Sequence, residues 1–205
     1  MVRFSVSLLI LISLAPDTAG QPATVTKDRI DLLVDRDGNR YPVKKLTDAC
    51  LWMSANLKVN IEGSNCYQGE NANCKRYGRL YTWKAAKEAC ELFGNGWHLP
   101  SEQEWFEPGT KFGGVHGDSS NSGKAAYKAL LQGGVSDFDV VLGGNTEADG
   151  KFARLEQHGF YWTATQSVPD YAWFYNFGKG AGLMNRHSDG ELTSGFSVRC
   201  VKSLK

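Results

Sequence analysis

The sequence contains no clustered run of lysine and arginine, and this absence excludes two classes of partner. Its 23 basic residues are balanced by 22 acidic ones, which leaves a formal net charge of +1. Nucleic-acid-binding surfaces and polybasic membrane patches both depend on a local concentration of positive charge. We therefore expect no nucleic acid among the partners of this protein, and no electrostatic attachment to a membrane surface.

The sequence also lacks an apolar run long enough to span a bilayer, which takes about 20 residues. Its most apolar stretch, residues 4–15, follows Arg3 and ends at Pro16, and small residues precede Gln21. This order is typical of a cleaved signal peptide. We predict a signal peptide over residues 1–20, a flexible lead-in over 21–29, and no transmembrane segment in the mature chain.

Export would place the protein outside the cytoplasm, as a secreted, periplasmic or cell-surface protein. A lipid anchor is not expected, because no cysteine follows the apolar stretch and the first one in the chain is Cys50. An exported domain is free to form disulfides. The five cysteines are Cys50, Cys66, Cys74, Cys90 and Cys200. Since five is an odd number, at least one stays unpaired within the chain.

Most signatures of catalysis are missing as well. No two of the four histidines are spaced as metal ligands, and the chain has no nucleophile elbow and no complete phosphate-binding loop. We therefore assign no catalytic residue, no metal and no cofactor. A pair of carboxylates that meets only in the folded protein stays an open alternative. The candidates, all in expected loops, are Glu147, Asp149, Asp170, Asp189 and Glu191.

Local patterns predict a mixed α+β domain over residues 30–205. Two β-type runs flank Arg36-Asp37-Gly38, which is typical of a hairpin. Residues 82–93 carry apolar side chains at helical spacing. Ser101 and Glu104 form a capping box that should start a second helix, and residues 125–132 predict a third.

The remaining chain alternates between loops and strands. Glycine- and serine-rich loops are expected over 107–123 and 143–150. Aromatic, β-type runs follow at 160–166 and 171–177. Alternation of apolar and polar residues over 195–201 predicts a final, half-buried strand.

Seven motifs in this order resemble the Fibrobacter succinogenes major paralogous domain family, a group of exported bacterial proteins. The resemblance covers residues 30–202. Two motifs, HLPSEQEW and GFSVRCV, also resemble the formylglycine-generating-enzyme branch of the C-type-lectin-like fold. The seven motifs are RDGNRYPVKKL, LWMSANL, CYQGENANC, YGRLYTWKAAKEAC, GWHLPSEQEW, FYWTATQ and GFSVRCVK.

The resemblance implies a C-type-lectin-like fold, with two to three helices on small antiparallel sheets and long loops on one face. It also implies disulfides Cys90–Cys200 and Cys66–Cys74. Cys50 is then left over, and we expect it to be buried beside Leu51 and Trp52. The oxygenase chemistry of the related branch is not expected, because no second cysteine precedes Cys200 in the closing stretch. The triplets with which C-type lectins bind calcium and sugar are missing too.

An aromatic cluster near the C-terminus is the best candidate for a ligand-binding surface. Aromatic rings beside polar groups suit stacking on sugars or contact with a protein. The predicted ligand-binding residues are Tyr171, Trp173, Tyr175, Asn176, Arg186 and Asp189. We expect a secreted or cell-envelope binding module for a glycan or a cell-surface protein, without catalysis. The alternatives are an extracellular, polysaccharide-related enzyme, favoured by a deep pocket with paired acids, and a structural envelope protein.

Overall fold

The computed structural model of the protein describes residues 31–118 and 123–204. The predicted signal peptide and the whole of the predicted lead-in therefore lie outside the described residues, as does part of the expected loop over 107–123. The helices are α1 (Asn71–Tyr77), α2 (Trp83–Glu91), α3 (Glu102–Lys111) and α4 (Lys124–Leu130). None of these helices in the described ranges is long and apolar enough to cross a membrane.

Short antiparallel sheets make up the rest of the domain, so the structure is mixed helix and sheet, as predicted. The strands are β1 (Asp31–Val34), β2 (Arg40–Lys45), β3 (Cys50–Met53), β4 (Ser64–Asn65), β5 (Leu80–Tyr81), β6 (Trp97–His98), β7 (Asn145–Thr146), β8 (Phe152–Ala153), β9 (His158–Val168), β10 (Tyr171–Gly178), β11 (Leu183–Glu191) and β12 (Val201–Ser203). The largest sheet has the order β1-β2-β3-β12-β6, and a second sheet has the order β11-β10-β9.

The hairpin of β1 and β2 forms as predicted, with Val34 opposite Arg40. The carboxylate of Asp35 accepts hydrogen bonds of 2.9 Å from the backbone N–H groups of Asp37 and Asn39. Gly38 adopts φ +81°, a conformation that glycine reaches without steric cost. The acidic residues of this segment thus stabilise a turn.

The two predicted helices flanking β6 form as expected. Thr82 caps α2, whose buried face includes Ala86, Ala89 and Cys90. The helix α3 begins with the predicted capping box of Ser101 and Glu104. It continues through Pro108 to Lys111, so the predicted loop over 107–123 begins later than expected. The helix α4 confirms the third prediction.

Glu104 connects α3 to β6 and is buried for most of its surface. Its carboxylate accepts hydrogen bonds from the backbone N–H and the hydroxyl of Ser101, at 2.8 and 2.9 Å, and lies 3.0 Å from Nε2 of His98. Burial alone would raise the pKa of this carboxyl, but the hydrogen bonds from Ser101 and His98 outweigh burial and lower it. Ionised Glu104 therefore stabilises the fold.

We expect the substitution Glu104→Gln to lower the free energy of unfolding at neutral pH by about 1–2 kcal/mol, because the amide loses charge-assisted hydrogen bonds. A carboxyl whose pKa is lowered by folding stabilises the protein above its unfolded pKa, near 4.3, and this stability is lost as the pH falls through the folded pKa. Urea unfolding between about pH 7 and pH 3 should show a smaller acid-induced loss in the variant. Glu88→Gln, an exposed change in α2, is the control, and equal acid dependence of Glu104→Gln and wild type would contradict the prediction.

The second sheet divides the core into two clusters. Along β9 and β10 the side chains alternate between its two faces. Trp162 and Phe174 pack toward the five-stranded sheet and α2, whereas Tyr161 and Tyr175 pack toward α3 and α4 around Trp105. The two clusters explain why three consecutive residues are aromatic in β9, at 160–162, and again in β10, at 173–175.

Two predictions about the C-terminal part were wrong. The stretch that carries Asp189 and Glu191, expected as a loop, is the strand β11, which pairs with β10 along its length. Its sequence is polar because part of it faces solvent, so the strand pattern is weak. The predicted strand over 195–201 is regular only at Val201–Ser203. It is also not half-buried, since Arg199 is 1% exposed.

Both predicted disulfides are present. Cys90 of α2 is joined to Cys200, 110 positions later, and Cys66 is joined to Cys74. The chain between the latter two is not only a polar loop, because it contains the start of α1. Cys50 is free and buried, as expected. Burial and the nearby Glu104 carboxylate raise the pKa of its thiol to about 11.

Candidate functional site

A large depression lies on the face of the second sheet that also packs toward α2 and the five-stranded sheet. Its volume is about 740 Å³, within the range of about 300–1,000 Å³ that small-molecule sites occupy. The sheet β9-β10-β11 and Phe196 form its base, and the hairpin β7–β8 and Ser194 form its walls. We call it the aromatic depression. Its lining is Asn145, Glu147, Ala148, Asp149, Arg154, His158, Phe160, Phe174, Asn176, His187, Asp189, Gly190, Glu191, Ser194 and Phe196.

Three phenylalanines form the floor of the aromatic depression. The ring of Phe196 lies 5.1 Å from that of Phe160, nearly parallel to it, and 4.9 Å from that of Phe174. Phe174 and Phe196 are almost completely buried, whereas Phe160 is half-buried. Beneath them, Trp162 stacks on Phe196 at 4.2 Å. The floor is therefore rigid, and the accessible part of Phe160 is its most exposed apolar surface.

Gly190 allows the strand β11 to pack directly against the aromatic rings of this floor. A Cβ atom at this position would lie 2.7 Å from Cζ3 of Trp162 and 2.8 Å from Cδ1 of Phe174. Only a residue without a side chain lets β11 approach the two rings this closely. The glycine in the middle of a strand is thus explained by aromatic packing and not by a turn.

Two histidines extend the aromatic surface. His158 stacks on Phe160 with ring centroids 5.6 Å apart, and its Nδ1 lies 3.2 Å from the amide oxygen of Asn176. His187 stacks on Phe174 at 5.0 Å. Burial lowers the pKa of His187 below its ordinary value near 6.5. At neutral pH its ring is therefore uncharged and available as a flat, weakly polar surface.

The charged rim is partly neutralised by the protein itself. Glu147 forms an ion pair with Arg154, and Asp149 lies 2.5 Å from the ammonium group of Lys151. The hydrogen bonds from Lys151 lower the pKa of Asp149. Asp189 and Glu191 form no ion pair with any residue in the described parts of the chain. The rim thus has two compensated and two uncompensated carboxylates.

Polar atoms without protein partners also line the aromatic depression. Asn145 is 2% exposed, and its amide oxygen accepts a hydrogen bond from Arg154 at 3.1 Å. No described residue accepts a hydrogen bond from its amide nitrogen. Ser194 is 6% exposed, and its hydroxyl has no partner in the described ranges either. Neither atom is among the fully buried unpaired polar atoms of the described residues, so both face the depression and are available to a ligand.

The structure separates the six predicted ligand-binding residues. Asn176 and Asp189 line the aromatic depression. Trp173, Arg186 and Asp189 line a neighbouring one of about 450 Å³, and Tyr171 is exposed at the start of β10 but lines neither. In the neighbouring depression the guanidinium of Arg186 lies 5.4 Å from the Trp173 ring.

Tyr175, one of the six predicted ligand-binding residues, does not lie at the surface. Tyr175 is fully buried, where its ring stacks on Trp105 at 5.6 Å and its hydroxyl donates a hydrogen bond to the carbonyl oxygen of Glu102. The register of β10 turns its ring toward α3, so it is not accessible to a ligand at the surface. Arg186 is also occupied, since it forms ion pairs with Glu102 at 2.7 Å and Asp118 at 3.2 Å.

Sequence reasoning missed the phenylalanine floor. Phe160 belongs to a recognised aromatic strand motif, and Phe196 to the closing motif, but nothing in the sequence indicates that they meet. Their meeting depends on the bridge that brings Ser197 beside Tyr161. For the residues of the β7–β8 hairpin, the cluster of Asn145, Glu147 and Asp149 between glycines was the available signal.

Comparison with known families identifies the chain. A family model described as the Fibrobacter succinogenes major domain matches residues 36–202. The chain belongs to this family. Neither a curated protein nor a solved structure matches it. The matched region of this Fibrobacter succinogenes major domain contains every residue of the aromatic depression, both disulfides and all four helices.

Proposed function

We propose that this protein is an extracellular or cell-envelope binding module that recognises a glycan in the aromatic depression, without catalysis. We further propose that its fold is C-type-lectin-like and related to the formylglycine-generating-enzyme branch. The observation that carries the functional proposal is the phenylalanine floor beside the polar atoms of Asn145 and Ser194 that lack protein partners. Both predicted disulfides support an oxidising, extracellular setting.

The chemistry of a sugar matches the two parts of the depression. The apolar C–H face of a pyranose ring stacks on aromatic side chains, here Phe160 with Phe196 beside it. Its hydroxyl groups both donate and accept hydrogen bonds. Asn145 can donate from its free amide nitrogen, and Ser194 can donate or accept through its hydroxyl. A volume of about 740 Å³ is sufficient for a short oligosaccharide.

Catalysis has less support in the same site. Asp149, one of the four carboxylates, has a lowered pKa because of Lys151, which makes it a poor general acid. Glu147 is engaged by Arg154. Among the described residues, no group of three histidine, cysteine, aspartate or glutamate side chains is arranged to hold a metal ion. Binding of a glycan requires neither a general acid, nor a pair of free carboxylates, nor a metal ion.

We expect the substitution Phe160→Ala to weaken glycan binding by about tenfold or more, because it removes the accessible stacking surface. The measurement is a glycan-array screen of the disulfide-bonded protein, followed by titration calorimetry with the strongest ligand. Trp173→Ala in the neighbouring depression is the matched control and should leave the affinity within about twofold. Near-ultraviolet circular dichroism verifies that both variants keep the native core.

Three results would count against this proposal. One is an array without any bound glycan. Another is a loss of binding in Trp173→Ala but not in Phe160→Ala, which would move the site to the neighbouring depression. The third concerns catalysis. Chromatography of the ligand after prolonged incubation should recover it unchanged, and the appearance of products would support an enzyme instead.

A further inference from the structure

We infer that the aromatic depression selects amino sugars that carry a free, protonated amine over neutral N-acetylated or acidic sugars. This inference rests on the proposed glycan-binding function and names its ligand class. It depends on three features of the described residues. The rim is negatively charged, the lining cation Arg154 is already paired with Glu147, and the floor is aromatic. Asp189 and Glu191 carry the uncompensated charge.

The rim is acidic although the protein as a whole is nearly neutral. Four carboxylates and one guanidinium line the aromatic depression, whereas the whole chain has a formal net charge of +1. Glu147 and Asp149 are each paired with a cation. Asp189 and Glu191, both exposed on β11, have no cation within ion-pair distance in the described ranges. The field in this concave site therefore attracts a positive ligand.

An acidic sugar would find no free cation in the lining. Arg154 is engaged by Glu147 and by the amide oxygen of Asn145. His187 is uncharged at neutral pH because burial lowers its pKa. A uronate would therefore place its carboxylate beside Asp189 and Glu191 without compensation. The uncompensated carboxylates that attract an ammonium group therefore repel the carboxylate of an acidic sugar.

The floor adds a second attraction for a cation. An ammonium group is attracted to the face of an aromatic ring within about 6 Å. The half-buried Phe160 offers such a face, and the guanidinium of Arg154 already lies 5.8 Å from its ring. The acidic rim is thus combined with an aromatic floor and with the unpartnered polar atoms of Asn145 and Ser194. An acidic patch on a flat surface has neither of these features.

The test compares three oligosaccharides of equal length: a glucosamine oligomer with free amines, its N-acetylated counterpart, and an oligomer of a uronic acid. Titration calorimetry is carried out at about pH 7, where His187 is uncharged and an amine with a pKa near 8 is mostly protonated. The free-amine oligomer should bind about fivefold to tenfold more tightly than the N-acetylated one. The uronate should bind most weakly. Raising the ionic strength from about 0.05 to about 0.3 M should reduce the preference.

The double variant Asp189→Asn/Glu191→Gln removes the two uncompensated charges of the rim while the side chains keep nearly the same size and shape. It should lose the preference for the amine, so that its affinities for the free-amine and the N-acetylated oligomer differ by no more than about twofold. Asp170→Asn, an exposed acid in the turn before β10 and outside the lining, is the control and should keep the preference. Equal affinity for the three sugars, or tighter binding of the uronate, would overturn this inference and leave the glycan-binding proposal intact. Absence of binding to every glycan would overturn both.

Discussion

Removal of the Cys90–Cys200 disulfide is expected to lower the free energy of unfolding by about 4–5 kcal/mol, the largest effect that we predict. The bridge joins α2 to the residue before β12, across 110 positions of chain. A crosslink that closes so long a loop removes much conformational freedom from the unfolded chain. Because small domains are stable by only about 5–15 kcal/mol, this loss takes the protein close to unfolding.

The experiment is guanidinium unfolding of Cys90→Ala/Cys200→Ala under non-reducing conditions. Cys66→Ala/Cys74→Ala is the matched comparison, since its loop spans only 8 positions and predicts a loss of about 2–3 kcal/mol. Cys50 should not exchange with the remaining bridge, because it is buried and the pKa of its thiol is raised to about 11. A larger loss from the short bridge than from the long one would contradict the loop-closure explanation.

Substitution of Arg199 by methionine is expected to lower the free energy of unfolding by about 3–5 kcal/mol, because it leaves three buried acceptors without donors. The guanidinium is buried and donates hydrogen bonds to three groups: Oδ1 of Asn56 at 2.9 Å, the carbonyl oxygen of Asp139 at 2.6 Å, and that of Phe138. It also lies 4.4 Å from the ring of Phe138. Methionine fills the space but leaves these three acceptors buried without donors.

The absence of a carboxylate partner makes this arginine unusual. No acidic side chain in the described ranges lies within ion-pair distance of it, and burial lowers its pKa. Backbone dipoles and aromatic faces therefore compensate the charge. Arg199→Lys should fail to rescue the stability, because one ammonium group cannot reach acceptors that the planar guanidinium spans.

Lys202→Met on β12, which is half-exposed, is the control for Arg199→Met and should change the free energy of unfolding by no more than about 0.5 kcal/mol. Thermal and urea unfolding are the measurements. A loss below about 1 kcal/mol in Arg199→Met would show that the buried guanidinium does not organise the segment around Phe138.

Much of the local structure followed from short-range chemistry. The β1–β2 hairpin depends on the turn-forming Asp35 and Gly38, and the start of α3 on the capping box of Ser101 and Glu104. Both features involve residues within a few positions of each other, so each could be predicted from a short stretch of sequence. The disulfide pairing is different, because five cysteines alone allow several pairings. It was implied by the resemblance to the family.

Predictions failed where the deciding contacts are distant in sequence. The strand β11 has a polar sequence, and only its pairing with β10 makes it a strand. Arg199 looked like the solvent-facing residue of a half-buried strand, yet acceptors about 60 positions earlier hold it in the core. Tyr175 looked accessible, but Trp105 of α3 covers it.

By itself, the sequence determined the class of this protein: a mixed helix-and-sheet domain with named helix starts, little net charge, and the motifs by which its family is known. These properties depend on composition and on neighbouring residues. Only the tertiary structure decided where a ligand would bind, because Phe160, Phe174 and Phe196 come from three segments that meet through strand pairing. It also decided which acids remain uncompensated, since the ion pairs of Glu147 and Asp149 depend on the fold of the β7–β8 hairpin.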